Sequence, residues 1–145
     1  MLQKLWIFSL LIFFATHSFS QIDKIVGSWK TIDDKTGETK SIVRIYKATD
    51  NKYYGKIEKI FEYEDAKCIK CEGKDKDQPI VGLVIIRGMI EKKGKLDGGS
   101  VLDPESGKTY YGSISYDAEK DQLKLRGALD KFGIAGRNQY WIRVK

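Results

Sequence analysis

At 145 residues, with 26 Lys and Arg against 20 Asp and Glu and a formal net charge of +6, the chain is the size of one domain with a mildly basic, mixed-sign surface. Its single histidine, His17, lies in the leading apolar segment. Without that segment the chain is histidine-free, which excludes Ser-His-Asp and Cys-His nucleophilic sites and any metal site that needs imidazole.

Lys4 followed by the apolar run Leu5 to Ala15, then Thr16-His17-Ser18-Phe19-Ser20, reads as a signal peptide with small residues at Ser18 and Ser20 and cleavage before Gln21. The run is shorter than the ~20 apolar residues of a spanning helix. No cysteine stands at the cleavage point to carry a lipid anchor. The expectation is residues 1–20 as leader and 21–145 as one exported domain, periplasmic or extracellular, with no transmembrane segment. Loss of Lys4 lowers the formal charge to +5. About 125 residues suffice for a core that buries roughly two-thirds of the unfolded surface.

Gln21 to Val26 reads as a short helical or irregular lead-in, and Gly27 to Ile32 as the first strand. Asp33-Asp34-Lys35-Thr36-Gly37 is a turn with acidic residues first and glycine last. Lys40 to Lys47 and Tyr53 to Phe61 are strands, the second with a bulge expected at Gly55. Glu62 to Gln78 is charged, lacks alternation and holds Cys68 and Cys71, so it reads as a long surface loop. Pro79 to Ile90, the most apolar stretch of the mature chain, reads as a buried, kinked strand.

Lys95 to Leu102 and Thr109 to Tyr116 flank Asp103-Pro104-Glu105-Ser106-Gly107, a hairpin turn of the same design as Asp33–Gly37. On the second of these strands Tyr110, Gly112, Ile114 and Tyr116 share a face. Gln122 to Ala128 alternates cleanly, Asp130 to Gly136 is a glycine-containing connection, and Arg137 to Val144 is the last strand. About eight strands joined to their sequence neighbours predict an all-β, up-and-down antiparallel barrel, whose closure removes exposed edges. At that strand number the interior is either filled by side chains or holds one small ligand.

Several fragments in this order resemble one family: Gly27-x-Trp29, Cys68-Ile69-Lys70-Cys71, Gln78-Pro79-Ile80-Val81-Gly82-Leu83, Gly98-Gly99 leading to Asp103-Pro104-x-x-Gly107-Lys108-x-Tyr110, Leu125-x-Gly127, and Gly136-Arg137-x-x-x-Trp141. Together they are similar to the secreted bacterial proteins classed as the domain of unknown function 2147, over essentially residues 25 to 145. The resemblance implies a lipocalin-like barrel and carries no assigned activity. One departure is Lys95-Leu96-Asp97, where that family often has an aromatic residue shortly before the glycine pair. The likeness to lipocalins also implies that Trp29 packs under a basic residue from the end of the barrel. Arg143 is the best match for that residue and Arg137 the second.

Cys68 and Cys71 have two readings: a structural disulfide, the default in an oxidising compartment, or a redox dithiol with thiols acidified by Lys67 and Lys70. Two thiolates alone do not fill a zinc shell, and no cofactor is implied. Asp33, Asp34, Asp103 and Glu105 could be paired as acid and base, but all sit at turns where carboxylates cap backbone amides. The aromatic and cationic residues Tyr53, Tyr110, Arg126, Arg137, Tyr140 and Trp141 are candidates for a ligand site, with tyrosine hydroxyls and an arginine suited to a carboxylate- or phosphate-bearing amphiphile. Arg126 falls opposite Leu123 and Leu125 and could instead face solvent.

The leading expectation is therefore non-catalytic binding of a small amphipathic ligand or a cell-envelope component, without nucleic acid as a partner. The alternatives are a thiol-disulfide protein using the cysteine pair and an interaction module using the charged cysteine loop.

Overall fold

A computed structural model describes residues 20–145. The leader expected at 1–20 lies outside the described residues except for Ser20. A short helix, α1 (Gln21–Ile25), precedes eight strands: β1 (Gly27–Ile32), β2 (Thr39–Lys47), β3 (Tyr53–Ile60), β4 (Val84–Lys92), β5 (Lys95–Asp103), β6 (Lys108–Asp117), β7 (Gln122–Ala128) and β8 (Gly136–Arg143). Every strand pairs antiparallel with its sequence neighbour and β8 pairs back onto β1, so the sheet is a closed barrel. The closing seam is short. Its register consists of Trp29 opposite Arg143 and Lys30 opposite Ile142, extended by the Val144 amide donating to the Ser28 carbonyl at 3.0 Å.

Alternation along each strand decides which side chains enter the barrel. Trp29, Val43, Ile45, Met89, Leu96, Ile114 and Leu123 are fully buried. Irregularities fall where sequence and closure require curvature, as at Gly55, where the β3–β4 register shifts. A side chain at Gly55 would meet Ile86 at 2.7 Å, so the bare backbone is what lets the two strands touch there.

The two ends differ. At one, α1 lies across the opening and packs on β5 and β6, with Ile22 and Ile25 buried. Ser20 caps the helix by accepting from the Ile22 amide. The Trp29 indole N–H donates to the Ile25 carbonyl at 2.8 Å. Burial of the two isoleucines is worth about 3–5 kcal/mol as an upper estimate, enough to hold a helix too short to form alone.

The other end carries the long connections. The segment expected to be a strand from Pro79 begins pairing in the barrel only at Val84. Before that its amides go elsewhere: Ile80 donates to the Ala66 carbonyl and Gly82 to the Ile57 carbonyl. Residues 79–83 are thus bonded to the cysteine loop and β3, an arrangement invisible to periodicity. The cysteine loop is likewise less superficial than its charge suggests. Cys68 and Cys71 form a disulfide and are buried, while Lys67 pairs with Pro79 in an isolated bridge.

The hairpin turn 103–107 docks on this loop. Asp103 accepts from the Glu105 amide and the Ser106 hydroxyl, and Gly107 closes the turn by donating to the Asp103 carbonyl at 2.8 Å. The Pro104 carbonyl oxygen sits 3.4 Å from the Cys68 sulfur. Turn 33–37 repeats the design, with Asp33 accepting from Lys35 and Thr36 amides and Gly37 donating to the Asp33 carbonyl. Those two amides, Thr36 first, hold the Asp33 carboxyl below its ordinary range. Lys40 pairs with both Asp33 and Glu105, linking the two turns.

Candidate functional site

Three inward rungs cross β6, β7 and β8: Gly112, Gly127 and Arg137; then Ile114, Leu125 and Gln139; then Tyr116, Leu123 and Trp141. Along β8 the inward residues pass from exposed Arg137 through half-buried Gln139 to Trp141 at 2 % exposure. Exposure thus falls along β8 from the loop end toward Trp141, whose indole N–H donates to the Gln139 side chain at 3.4 Å.

Tyr110 borders the same opening. It is inward on β6 and half-buried, and its ring lies against Gly127, where an added side chain would stand 3.6 Å from the tyrosine. At Gly112 the equivalent space is taken by Met89 and Val101. The glycines thus admit neighbouring side chains into the barrel. The middle of the barrel is packed, and exposure is confined to the loop-end rim, with Leu125 and then Trp141 buried below it. Thr31 and Ser41, hydroxyl to hydroxyl at 2.7 Å across β1 and β2, lie toward the same end.

Of the residues the sequence nominates for a ligand, the fold brings Tyr110 and Arg137 to this one end, while Trp141 lies two rungs below Arg137, level with Tyr116. It does not bring the others. Tyr53 is buried on β3, opposite Lys47 and Met89, near the helix end, with the Lys47 ammonium 5.6 Å from its ring centroid. Tyr140 faces outward, its parity opposite to Trp141. With Ser115, Asp117 and Lys124 it lines an open hollow of about 580 Å³ on the outer wall.

Arg126 also faces outward and folds over the β7–β8 connection. It donates to the Gly133 carbonyl at 2.7 Å, to the Ile134 carbonyl, and to the Asn138 side chain at 3.2 Å. Gln139, absent from the nominated set, was legible in principle from the alternation of β8, since 137, 139 and 141 share a face. Arg137 reaches the rim and lies 3.9 Å from Asp34 of the first turn.

At the closed end the Arg143 guanidinium lies 4.3 Å from the Trp29 ring centroid and 5.8 Å from that of Tyr116. It donates to Asp121 at 3.0 Å and to the Lys24 carbonyl at 2.8 Å. The Tyr116 hydroxyl, and after it Arg143, hold the Asp121 carboxyl below its usual value. This constellation joins α1, β1, β6 and β8, and its charges satisfy one another.

A second, larger hollow of about 950 Å³ lies outside, between the β2–β3 hairpin and residues 74–88. Tyr46 and Tyr54 stack there with centroids 6.1 Å apart, and Tyr54 donates to Asp50 at 2.6 Å. Arg87 pairs with Asp75 at 2.8 Å, tying the single 3₁₀ turn Gly73–Asp75 to β4. Among the described residues no group of three or more His, Cys, Asp or Glu is placed to hold a metal ion, and no helix is long and apolar enough to cross a membrane.

Comparison with solved structures finds protein HP1028 from Helicobacter pylori, described as belonging to the lipocalin family. The two share 21 % identity at a TM-score of 0.71, covering 83 % of this chain and 82 % of that one. At that identity the likeness is one of fold. No curated protein matches the sequence. The family model for uncharacterized proteins conserved in bacteria, DUF2147, matches residues 27–143, the span from the first residue of β1 to the last of β8, and the chain belongs to that family.

Proposed function

We propose that this is an exported, non-catalytic binding protein that takes a small amphipathic ligand at the loop-end mouth of its barrel. The observation that carries the reading is the gradient along β8, from exposed Arg137 through half-buried Gln139 to buried Trp141. An anionic head would meet the Arg137 fork and the Tyr110 hydroxyl at the rim. The apolar portion would rest on the Tyr110 ring and reach toward Trp141 and Leu125. Eight-stranded barrels commonly hold one small molecule, and the lipocalin-like fold supports that use. Because the core below Trp141 is packed, the ligand is held by one end, with part of it outside the barrel.

Burial of both cysteines favours a bridge that shapes the loop over a redox dithiol, since exchange requires access to a sulfur. The same bridge accords with export to an oxidising compartment.

The test is native mass spectrometry and organic extraction of mature protein exported by its own host. Tryptophan fluorescence, from Trp29 and Trp141, is then titrated with a long-chain fatty acid as probe. The expected result is a co-purifying amphiphile, with probe binding weakened about 10-fold or more by Arg137→Ala. Protein that carries no ligand, and whose fluorescence the probe leaves unchanged, would sink the proposal.

A further inference from the structure

The connection between β7 and β8 presents Leu129, Phe132 and Ile134 to solvent at 71 %, 77 % and 81 % exposure. Three large apolar side chains on one short loop are costly to leave in water unless something covers them. The loop is also held in shape. The Asp130 carboxylate turns inward and accepts from the amides of Phe132, Ile134 and Ala135 at 3.0, 3.0 and 2.6 Å. Leu129 donates to the Ala135 carbonyl and Gly133 to the Asp130 carbonyl. Arg126 covers the carbonyls of Gly133 and Ile134.

Most amides of this loop are thus paired within it while its apolar side chains point out. Paired amides lower the cost of entering a medium without water, where an unpaired one is heavily penalised. The loop's side chains project, so they suit a fluid acyl layer, which needs no matched cavity.

Among the mixed flanking charges, two cations lie against exposed rings. Lys131 places its ammonium 5.2 Å from the Phe132 ring centroid, and Arg137 stands exposed one residue beyond β8's first. Strand direction puts the β3–β4 connection at the same end. There Tyr63, between Glu62 and Glu64, is 80 % exposed and Phe61 carries the Lys59 ammonium 4.9 Å from its ring. Aromatic rings beside lysines are the composition of a bilayer's headgroup level.

We propose that the loop end of the barrel docks on an anionic lipid bilayer, with Leu129, Phe132 and Ile134 seated at the headgroup–acyl boundary and Lys131 against lipid phosphates. The docking stands whether or not the mouth holds a ligand.

The experiment is co-sedimentation of the mature chain with vesicles of phosphatidylcholine alone or mixed with an equal part of phosphatidylglycerol. Binding to the mixed vesicles is expected, stronger than to phosphatidylcholine and weakened by salt. Phe132→Ser with Ile134→Ser lowers the partition coefficient about 30-fold, and both positions are exposed, so the urea midpoint stays put. Lys131→Glu, which keeps the apolar tip, lowers binding to the mixed vesicles alone. Wild-type protein that stays in the supernatant would overturn the proposal. So would a double variant that sediments like wild type, or self-association in solution that the double variant abolishes, which would make a second copy the occupant.

Discussion

Replacing Arg143 with alanine tests how the barrel is closed. The β1–β8 seam has a two-residue register, and Arg143 stands in it with four separate partners. Its guanidinium over Trp29, half withdrawn from water, is worth about 0.5–2 kcal/mol. The ion pair to Asp121 joins side chains 28 % and 50 % exposed, so solvent screening leaves about 0.5 kcal/mol. The donated bond to the Lys24 carbonyl at 2.8 Å adds about 1 kcal/mol. These contacts share one side chain and are not additive. The net expectation is a loss of about 2–3 kcal/mol, which for a domain of this size lowers Tm by roughly 8–12 °C.

Urea unfolding followed by tryptophan fluorescence measures the effect, since Trp29 sits directly under the substituted group. Arg143→Lys keeps a cation near the ring but loses the planar fork, so it falls between the two, at about 1 kcal/mol below wild type. The difference between wild type and Arg143→Ala also depends on pH. The Asp121 carboxyl is depressed in the folded protein, so its contribution is present above the ordinary carboxylate value of about 3.9 and is lost as pH falls through the folded value. The gap between the two stability curves should narrow by about 0.5 kcal/mol as pH falls below about 4, leaving the ring contact and the Lys24 bond in place. A loss under about 0.5 kcal/mol for Arg143→Ala would mean that the strand ladder alone holds the seam.

Two further perturbations isolate single features. Gly37 and Gly107 close turns of one design at φ +74° and +72°, yet a side chain at Gly37 meets nothing within 4 Å while one at Gly107 would stand 1.9 Å from the Lys70 carbonyl oxygen. Chemical denaturation should show Gly37→Ala costing about 1 kcal/mol for backbone strain alone, and Gly107→Ala costing about 2 kcal/mol more as the turn is lifted off the cysteine loop. Asp130, depressed chiefly by the Ala135 and Ile134 amides, should keep its loop ordered above the ordinary carboxylate range and release it as pH falls below. Protection factors of the Phe132, Ile134 and Ala135 amides should fall at acid pH while those of β7 hold.

The fold was legible because alternation survives in most strands. Gln122–Ala128 matches β7 residue for residue, and the two Asp-first, Gly-last turns mark reversals the structure reproduces. What was illegible shares one cause. Where backbone amides bond outside a ladder, periodicity carries no information about them. The strand expected from Pro79 spends its first residues bonded to Ala66 and Ile57, and the charged cysteine loop conceals two buried sulfurs. Leu129, Phe132 and Ile134 looked like an unremarkable connection because no pattern distinguishes an apolar residue held outward from one turned in. Arg126 shows the same limit at a single residue. Parity assigns it to the outside, and only the fold shows that it curls over the Gly133 and Ile134 carbonyls.

The distribution of connections gives the barrel ends different physical roles. At the helix end the links 48–52, 93–94 and 118–121 are short, and α1 with Arg143 fills the opening, so substitutions there act on stability. At the other end the links 61–83 and 129–135 are held by a disulfide, an inward carboxylate and an arginine over two carbonyls. Apolar side chains remain in water there even though the backbone is fixed. Rigidity at that cost has a use when a surface must be ready before its partner arrives, because ordering the loop beforehand removes that entropy from binding. Stability and binding should then be separable: Arg143→Ala lowers the unfolding midpoint without changing vesicle or ligand affinity of the folded fraction. A tip substitution should do the reverse. A barrel in which both quantities moved together would have no such division between its ends.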